Sequence, residues 1–104
     1  MLNYELVEQA LRAIANTRRR AMLELVWDRE RTATEIAELT GLSKPAASQH
    51  LRVLREAGLV HVRAAGNRRL YRSDPARVAE LRAALEAFWG DRLARMRAEV
   101  ERDG

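Results

Sequence analysis

Over residues 4–14 the apolar side chains recur three and four apart, at Leu6, Val7, Ala10, Leu11 and Ile14, which is the spacing of one face of an amphipathic helix. A second helix is predicted through Trp27, capped by Asn16 or Thr17, with Met22, Leu23, Val26 and Trp27 on its inner face. The third is short. Thr34 is placed to cap it, Ile36, Ala37 and Leu39 are its buried positions, and Thr40-Gly41 ends it, since glycine takes the left-handed conformation that stops a helix. Only Leu42 separates that glycine from Ser43, a good N-cap, and Pro45 falls in the next first turn, where its missing N–H costs no bond. The fourth helix buries Ala47, Leu51 and Leu54 and closes at Gly58. Two short helices across a tight turn predict a helix-turn-helix.

The period then changes from helical to alternating. Val60, Val62 and Ala64 alternate with His61, Arg63 and Ala65, Gly66-Asn67 is a two-residue turn, and residues 68–72 return with Leu70 and Tyr71. This is a β-hairpin with a cationic tip. After the helix-start signal Ser73-Asp74-Pro75, the pattern Val78, Leu81, Leu85, Phe88/Trp89, Leu93, Met96 and Val100 continues to the end. A helix of about 27 residues spans ~40 Å at the standard rise, more than the width of a domain this size, so part of its apolar face needs another partner. A second copy of the chain is the expected one, packed through the terminal helices at Leu6, Ala10, Leu81, Leu85, Phe88, Trp89, Leu93 and Met96. The bland alternative is a helix that covers its own core and frays at its end.

Composition sharpens this picture in three ways. A chain of 104 residues, 47% apolar and 33% charged, accommodates one compact domain over residues 1–104 with a core of its own. No apolar run approaches the ~18 residues of a transmembrane helix, and Met1-Leu2-Asn3-Tyr4-Glu5 lacks the basic and apolar regions of a signal peptide, so the expected location is the cytoplasm, with no membrane partner. The absence of cysteine excludes disulfides, thiolate metal sites and cysteine nucleophiles together.

Charge is concentrated in one place. Residues 43–72 hold seven basic side chains (Lys44, Arg52, Arg55, Arg63, Arg68, Arg69, Arg72) against the single acid Glu56, a net +6, whereas the other 74 residues carry 12 basic and 14 acidic groups, a net −2. Such a stripe is the electrostatic footprint of a nucleic-acid surface. Of the 19 basic residues 18 are Arg, which suits phosphate and guanine contacts but is equally the product of GC-rich coding.

The order of elements and three stretches together resemble the winged helix-turn-helix repressors of the ArsR/SmtB family. The stretches are residues 15–25, residues 66–71, and the pattern S-x-x-x-x-S-x-H-L-x-x-L-x-x-A-G-L-V running from Ser43 to Val60. The implied fold is mainly α with a small β-hairpin: helix, helix, helix, helix, strand, strand, helix. The resemblance implies that the fourth helix enters the major groove of double-stranded operator DNA while the hairpin, or wing, reaches the neighbouring backbone. Ser43, Lys44, Pro45, Ala46, Ser48, Gln49, His50 and Arg52 would then belong to the DNA face, with Arg63, Asn67, Arg68 and Arg69 on the wing. Gln49 suits the adenine edge, Ala46 a thymine methyl, and Lys44, Arg52, Arg68 and Arg69 the phosphates that set register. Each has a structural reading beside this one. Ser43 is a cap in any case, His50 is either DNA-facing or a structural hydrogen-bond donor, Arg55 is a solvated residue that could pair with Glu56 or Glu38, and Arg20 makes a backbone contact or pairs with Glu24.

Many members of that family sense metals through cysteines near the recognition helix or through His and carboxylates on the last helix. Here the third helix has no thiol and the last no histidine, and His50 and His61 alone make a tenuous zinc pair, so no metal, cofactor or identifiable effector is expected. Enzyme chemistry is not expected either, because Ser48 and His50 lie on different sides of one helix and no glycine-rich phosphate loop is present. The expected function is a homodimeric repressor on an inverted-repeat operator. A winged-helix protein-interaction module is the alternative, disfavoured by the basic recognition helix and wing.

Overall fold

The computed structural model describes residues 4–103, and the side chains of Phe88, Asp91, Leu93, Arg102 and Asp103 lie outside the described set. The elements run α1 (Tyr4–Ala15), α2 (Thr17–Leu25), β1 (Arg31–Thr32), α3 (Ala33–Thr40), α4 (Lys44–Glu56), β2 (Val60–Ala65), β3 (Arg68–Ser73) and α5 (Pro75–Asp103). Five helices and a small antiparallel sheet follow the helix-turn-helix and hairpin that the periodicity predicted and form the winged helix-turn-helix that the resemblance implied. The wing differs in one respect: it has three strands in the order β1-β3-β2, because Arg31 and Thr32 pair with Tyr71 and Leu70. Two residues are too short for any alternation to show, so this strand is legible only once β3 lies beside it.

The helix starts follow their caps. Asn16 rather than Thr17 caps α2, its Oδ1 accepting from Arg19 N at 3.1 Å. Thr32, not Thr34, caps α3. Its Oγ1 accepts from Glu35 N at 3.1 Å, which satisfies one orphan backbone N–H, and its hydroxyl donates to Glu35 Oε1 at 3.3 Å, which fixes the two side chains against each other. Gly41 ends α3 at φ +71, Leu42 N bonds back to Ala37 O at 3.1 Å, and Ser43 Oγ then accepts from Ala46 N at 3.2 Å to start α4. That αL glycine reverses the chain within two residues and sets the recognition helix against α3. In the wing, Gly66 has φ +63 while Asn67 does not enter the positive region, the II′ pattern that matches the strand twist and fixes the register Ala65↔Arg68. Asp74 Oδ1 accepts from Arg77 N at 3.1 Å, and α5 begins at Pro75.

The core gathers Met22, Val26, Ile36, Leu51, Leu54, Leu59 and Val60 with Ala10, Ala13, Ala47 and Leu81. Ser73 is buried among them with both its groups satisfied, N bonding Val26 O at 2.9 Å and Oγ bonding Trp27 O at 2.8 Å, which ties the end of β3 to the end of α2. Three expected core positions are exposed. Helix α2 ends at Leu25, which leaves Trp27 in the following turn, half exposed. On α3 the inward face is centred between Ile36 and Ala37, and Leu39, about 110° round the helix from that centre at 100° per residue, is exposed. On α1 the inner face runs through Val7, Ala10, Ala13 and Ile14, and Leu11 sits at its exposed margin.

Helix α5 contributes Val78, Leu81 and Leu85 to this core and then leaves it. Its 29 residues draw the molecule out to 62 Å along one axis against 27 and 22 Å across. Among the described residues beyond Leu85, Trp89, Met96 and Val100 keep the apolar stripe but are exposed, Met96 by 60% and Val100 by 70%.

Candidate nucleic-acid interface

Helix α4 turns Ala47, Leu51 and Leu54 inward; Gln49 and Arg52 lie on its far side, Lys44, Ser48 and Arg55 on its flank, and all five are exposed. Between this face and the wing runs a groove of about 620 Å³. Lys44, Ser48, Asn67, Arg68, Arg69 and Tyr71 line it from α4 and the wing, and Thr32, Ala33 and Thr34 line it from the start of α3. Three cations, three hydroxyl side chains besides Tyr71 and a carboxamide thus face a common space, a donor set suited to the phosphate backbone of DNA.

The arginines of this side are not equivalent. Arg63 makes a two-pronged contact with Glu30, Nε to Oε2 at 2.5 Å and Nη2 to Oε1 at 2.9 Å. That hydrogen bond, with the charges of Arg63, Arg72 and His61, holds the Glu30 carboxyl below its ordinary value, and Arg63 is shifted up in return. Arg68 Nη2 lies 3.3 Å from Glu35 Oε1, and Arg52 Nε lies 3.0 Å from Glu56 Oε1. Lys44, Arg55, Arg69 and Arg72 form no ion pair among the described residues. Glu56 is taken by Arg52, four residues before it on the same helical face, so Arg55 is left solvated, and the exposed Arg63 is paired with Glu30.

His50 occupies a different part of α4. It lies half-buried on the flank toward α2, where Arg19 Nη1 approaches its Nδ1 to 3.5 Å. Arg19 also donates from Nε to Ala13 O at 2.7 Å and from Nη2 to Arg12 O at 3.1 Å, closing the end of α1. Burial first, then the charges of Arg19 and Arg18, push the His50 pKa below its ordinary value. Arg20 donates to Thr17 Oγ1 at 3.4 Å instead of pairing with Glu24.

The remaining site positions divide plainly. Ser43 caps α4, Pro45 is exposed in its first turn, and Ala46 is half-buried behind it. Of the residues expected between two copies, Ala10 and Leu81 are only 3% and 5% exposed within one chain, so its own core consumes them and leaves no surface for a partner. Leu6 and Leu85 are half-buried, Trp89 and Met96 exposed, and Phe88 and Leu93 fall outside the described side chains. Sequence reasoning missed Glu30, Glu35, Thr32 and Thr34 at the interface. A signal was present for two of them, since Thr32-x-x-Glu35 has the spacing of a capping box. Among the described residues no three His, Asp or Glu side chains gather as a metal site, and no helix is long and apolar enough to cross a membrane.

Residues 16–62, from the cap of α2 to β2, match the model of the bacterial regulatory proteins of the arsR family. Over all 104 residues the chain is 38% identical to the HTH-type transcriptional regulator Rv2034 of Mycobacterium tuberculosis, covering 97% of that protein. The chain belongs to the ArsR family. Its fold is matched by the crystal structure of a possible transcriptional regulator for arsenical resistance, at 43% identity and a TM-score of 0.71 over 88% of this chain and 95% of that one. A second match is the homodimeric winged helix-turn-helix DNA-binding domain Mb0332 from Mycobacterium bovis, at 35% identity and a TM-score of 0.69 over 86% of this chain and 82% of that one. Members of the ArsR family are transcriptional regulators and not enzymes, and this chain is a regulator with a winged helix-turn-helix DNA-binding domain.

Proposed function

We propose that this ArsR-family regulator is a homodimeric repressor that binds an inverted-repeat operator in the cytoplasm. The observation that carries the reading is the groove between α4 and the wing, whose lining residues include three cations and no carboxylate. A phosphate of the operator backbone sits there, held by Lys44 and Arg69, while α4 lies in the major groove. Gln49 and Ser48 project from the exposed side of α4 and read base edges, Gln49 through the paired donor and acceptor of its amide. Ser43 stays a cap, and its helix N-terminus adds positive potential toward the same backbone.

Dimerisation through α1 and α5 is supported by the exposure of the apolar residues Tyr4, Leu11, Met96 and Val100. Two recognition helices related by a twofold axis then address half-sites about one helical turn, ~34 Å, apart. Light scattering at micromolar concentration tests the dimer: about 24 kDa, twice the 11.9 kDa chain, is expected, and Met96→Glu should shift it toward the monomer. Selection of bound duplexes from random DNA tests the operator. It should return an inverted repeat, whose base preference Gln49→Ala relaxes; retention of no sequence by wild-type protein would refute the reading in favour of a protein-interaction module.

A further inference from the structure

Two acids, Glu30 and Glu35, flank β1, and each engages one arginine of the wing, 33 residues further along the chain. Their contacts differ in kind. Glu30 meets Arg63 with both oxygens against two guanidinium nitrogens, and Glu30 is largely shielded. Glu35 reaches Arg68 through one oxygen and one nitrogen at 3.3 Å, with both side chains more open to water. A forked pair resists exchange, whereas a single exposed contact is readily given up to a competing anion.

Glu35 cannot follow Arg68 when that exchange happens. Its Oε1 also accepts from the Thr32 hydroxyl and its N–H is bound to Thr32 Oγ1, so the carboxylate is anchored at the start of α3, on the rim of the groove that Thr32, Thr34 and Arg68 help to line. We propose that Glu35 is an internal stand-in for a DNA phosphate: it occupies Arg68 in the free protein, must be displaced for Arg68 to bind the backbone, and then stays close enough to repel the incoming phosphate. This rests on the DNA-binding reading above. The consequence is a residue that lowers affinity for every sequence through a phosphate contact, keeping a cationic regulator from being held on arbitrary DNA, while the base contacts of α4 are untouched.

Glu35→Gln separates charge from structure, because the amide oxygen of glutamine accepts from the Thr32 hydroxyl as the carboxylate does and the backbone N–H to Thr32 Oγ1 is unchanged. Binding of wild-type and variant protein to a selected operator and to an unrelated duplex is read by fluorescence anisotropy over a salt series, with melting curves alongside. The expected result at about 50 mM salt is about three- to fivefold tighter binding to both duplexes, shrinking as salt screens the repulsion. In an Arg68→Ala background most of that gain should be lost, since no guanidinium remains to be released. Glu35→Ala, which keeps the backbone N–H to Thr32 Oγ1 but loses the side-chain bond to the Thr32 hydroxyl, should bind as tightly as Glu35→Gln below any lowered melting point. Unchanged or weaker binding by both variants would overturn the proposal, as would an equal gain without Arg68. Failure of the wild-type protein to bind any duplex would instead refute the DNA-binding reading on which it depends.

Discussion

Replacing Arg69 by alanine removes a groove cation that no described acid already occupies. Each phosphate neutralised by a cation contributes about −0.9 to the slope of log K against log salt, through release of condensed counterions. Lys44, Arg68 and Arg69 from each of two protomers make about six contacts and a slope near −5.4, so a fourfold rise in salt from ~50 to ~200 mM weakens binding roughly 1,800-fold. Without Arg69 the slope falls to about −3.6 and the same rise costs roughly 150-fold. Anisotropy titrations at five or six salt concentrations, on the selected operator and on an unrelated duplex, measure both slopes. The reduction should be the same on the two duplexes, because a phosphate contact carries no sequence information. An Arg69→Ala slope equal to that of wild type, or a loss confined to the operator, would refute the assignment of Arg69 as a backbone clamp.

Other consequences follow from pairs and packing already described. Arg63→Ala should leave DNA affinity within about twofold while lowering the melting temperature near neutral pH. Because Glu30 titrates lower in the folded chain than in the unfolded one, its contribution is present above its ordinary value of 4.5 and fades as pH falls through the depressed one, so wild-type and Arg63→Ala melting curves should converge on acidification. His50 has the opposite proton balance to a salt-bridged histidine: its folded pKa lies below 6.5, the unfolded chain binds the extra proton, and stability drops as pH falls below about that value. Melting temperatures of His50→Gln between pH 7.5 and 5 should show less of this decline. Leu54, fully buried beneath the recognition helix, should cost about 2–5 kcal/mol when cut to alanine, read as a lower urea midpoint with the m-value unchanged.

What the sequence determined by itself is everything set within one turn of helix or one strand. The periodicities, the caps Asn16, Ser43 and Asp74, the αL stop at Gly41 and the two-residue wing turn are local, and each agrees with its neighbours, so the helix-turn-helix and hairpin were readable in order. At α3 two threonines offer a cap, and Thr32, whose Oγ1 accepts from Glu35 N and whose hydroxyl bonds the Glu35 carboxylate, takes the role rather than Thr34. Only tertiary structure decided which cations remain available. Glu30 and Glu35 lie 33 residues from Arg63 and Arg68 and meet them through the pairing of β1 with β3, a strand of two residues with no pattern of its own. A basic stretch in the sequence therefore marks the side proposed to face DNA, but the charge that side can offer depends on acids brought from elsewhere, because an ion pair is set by distance in space and not by position along the chain.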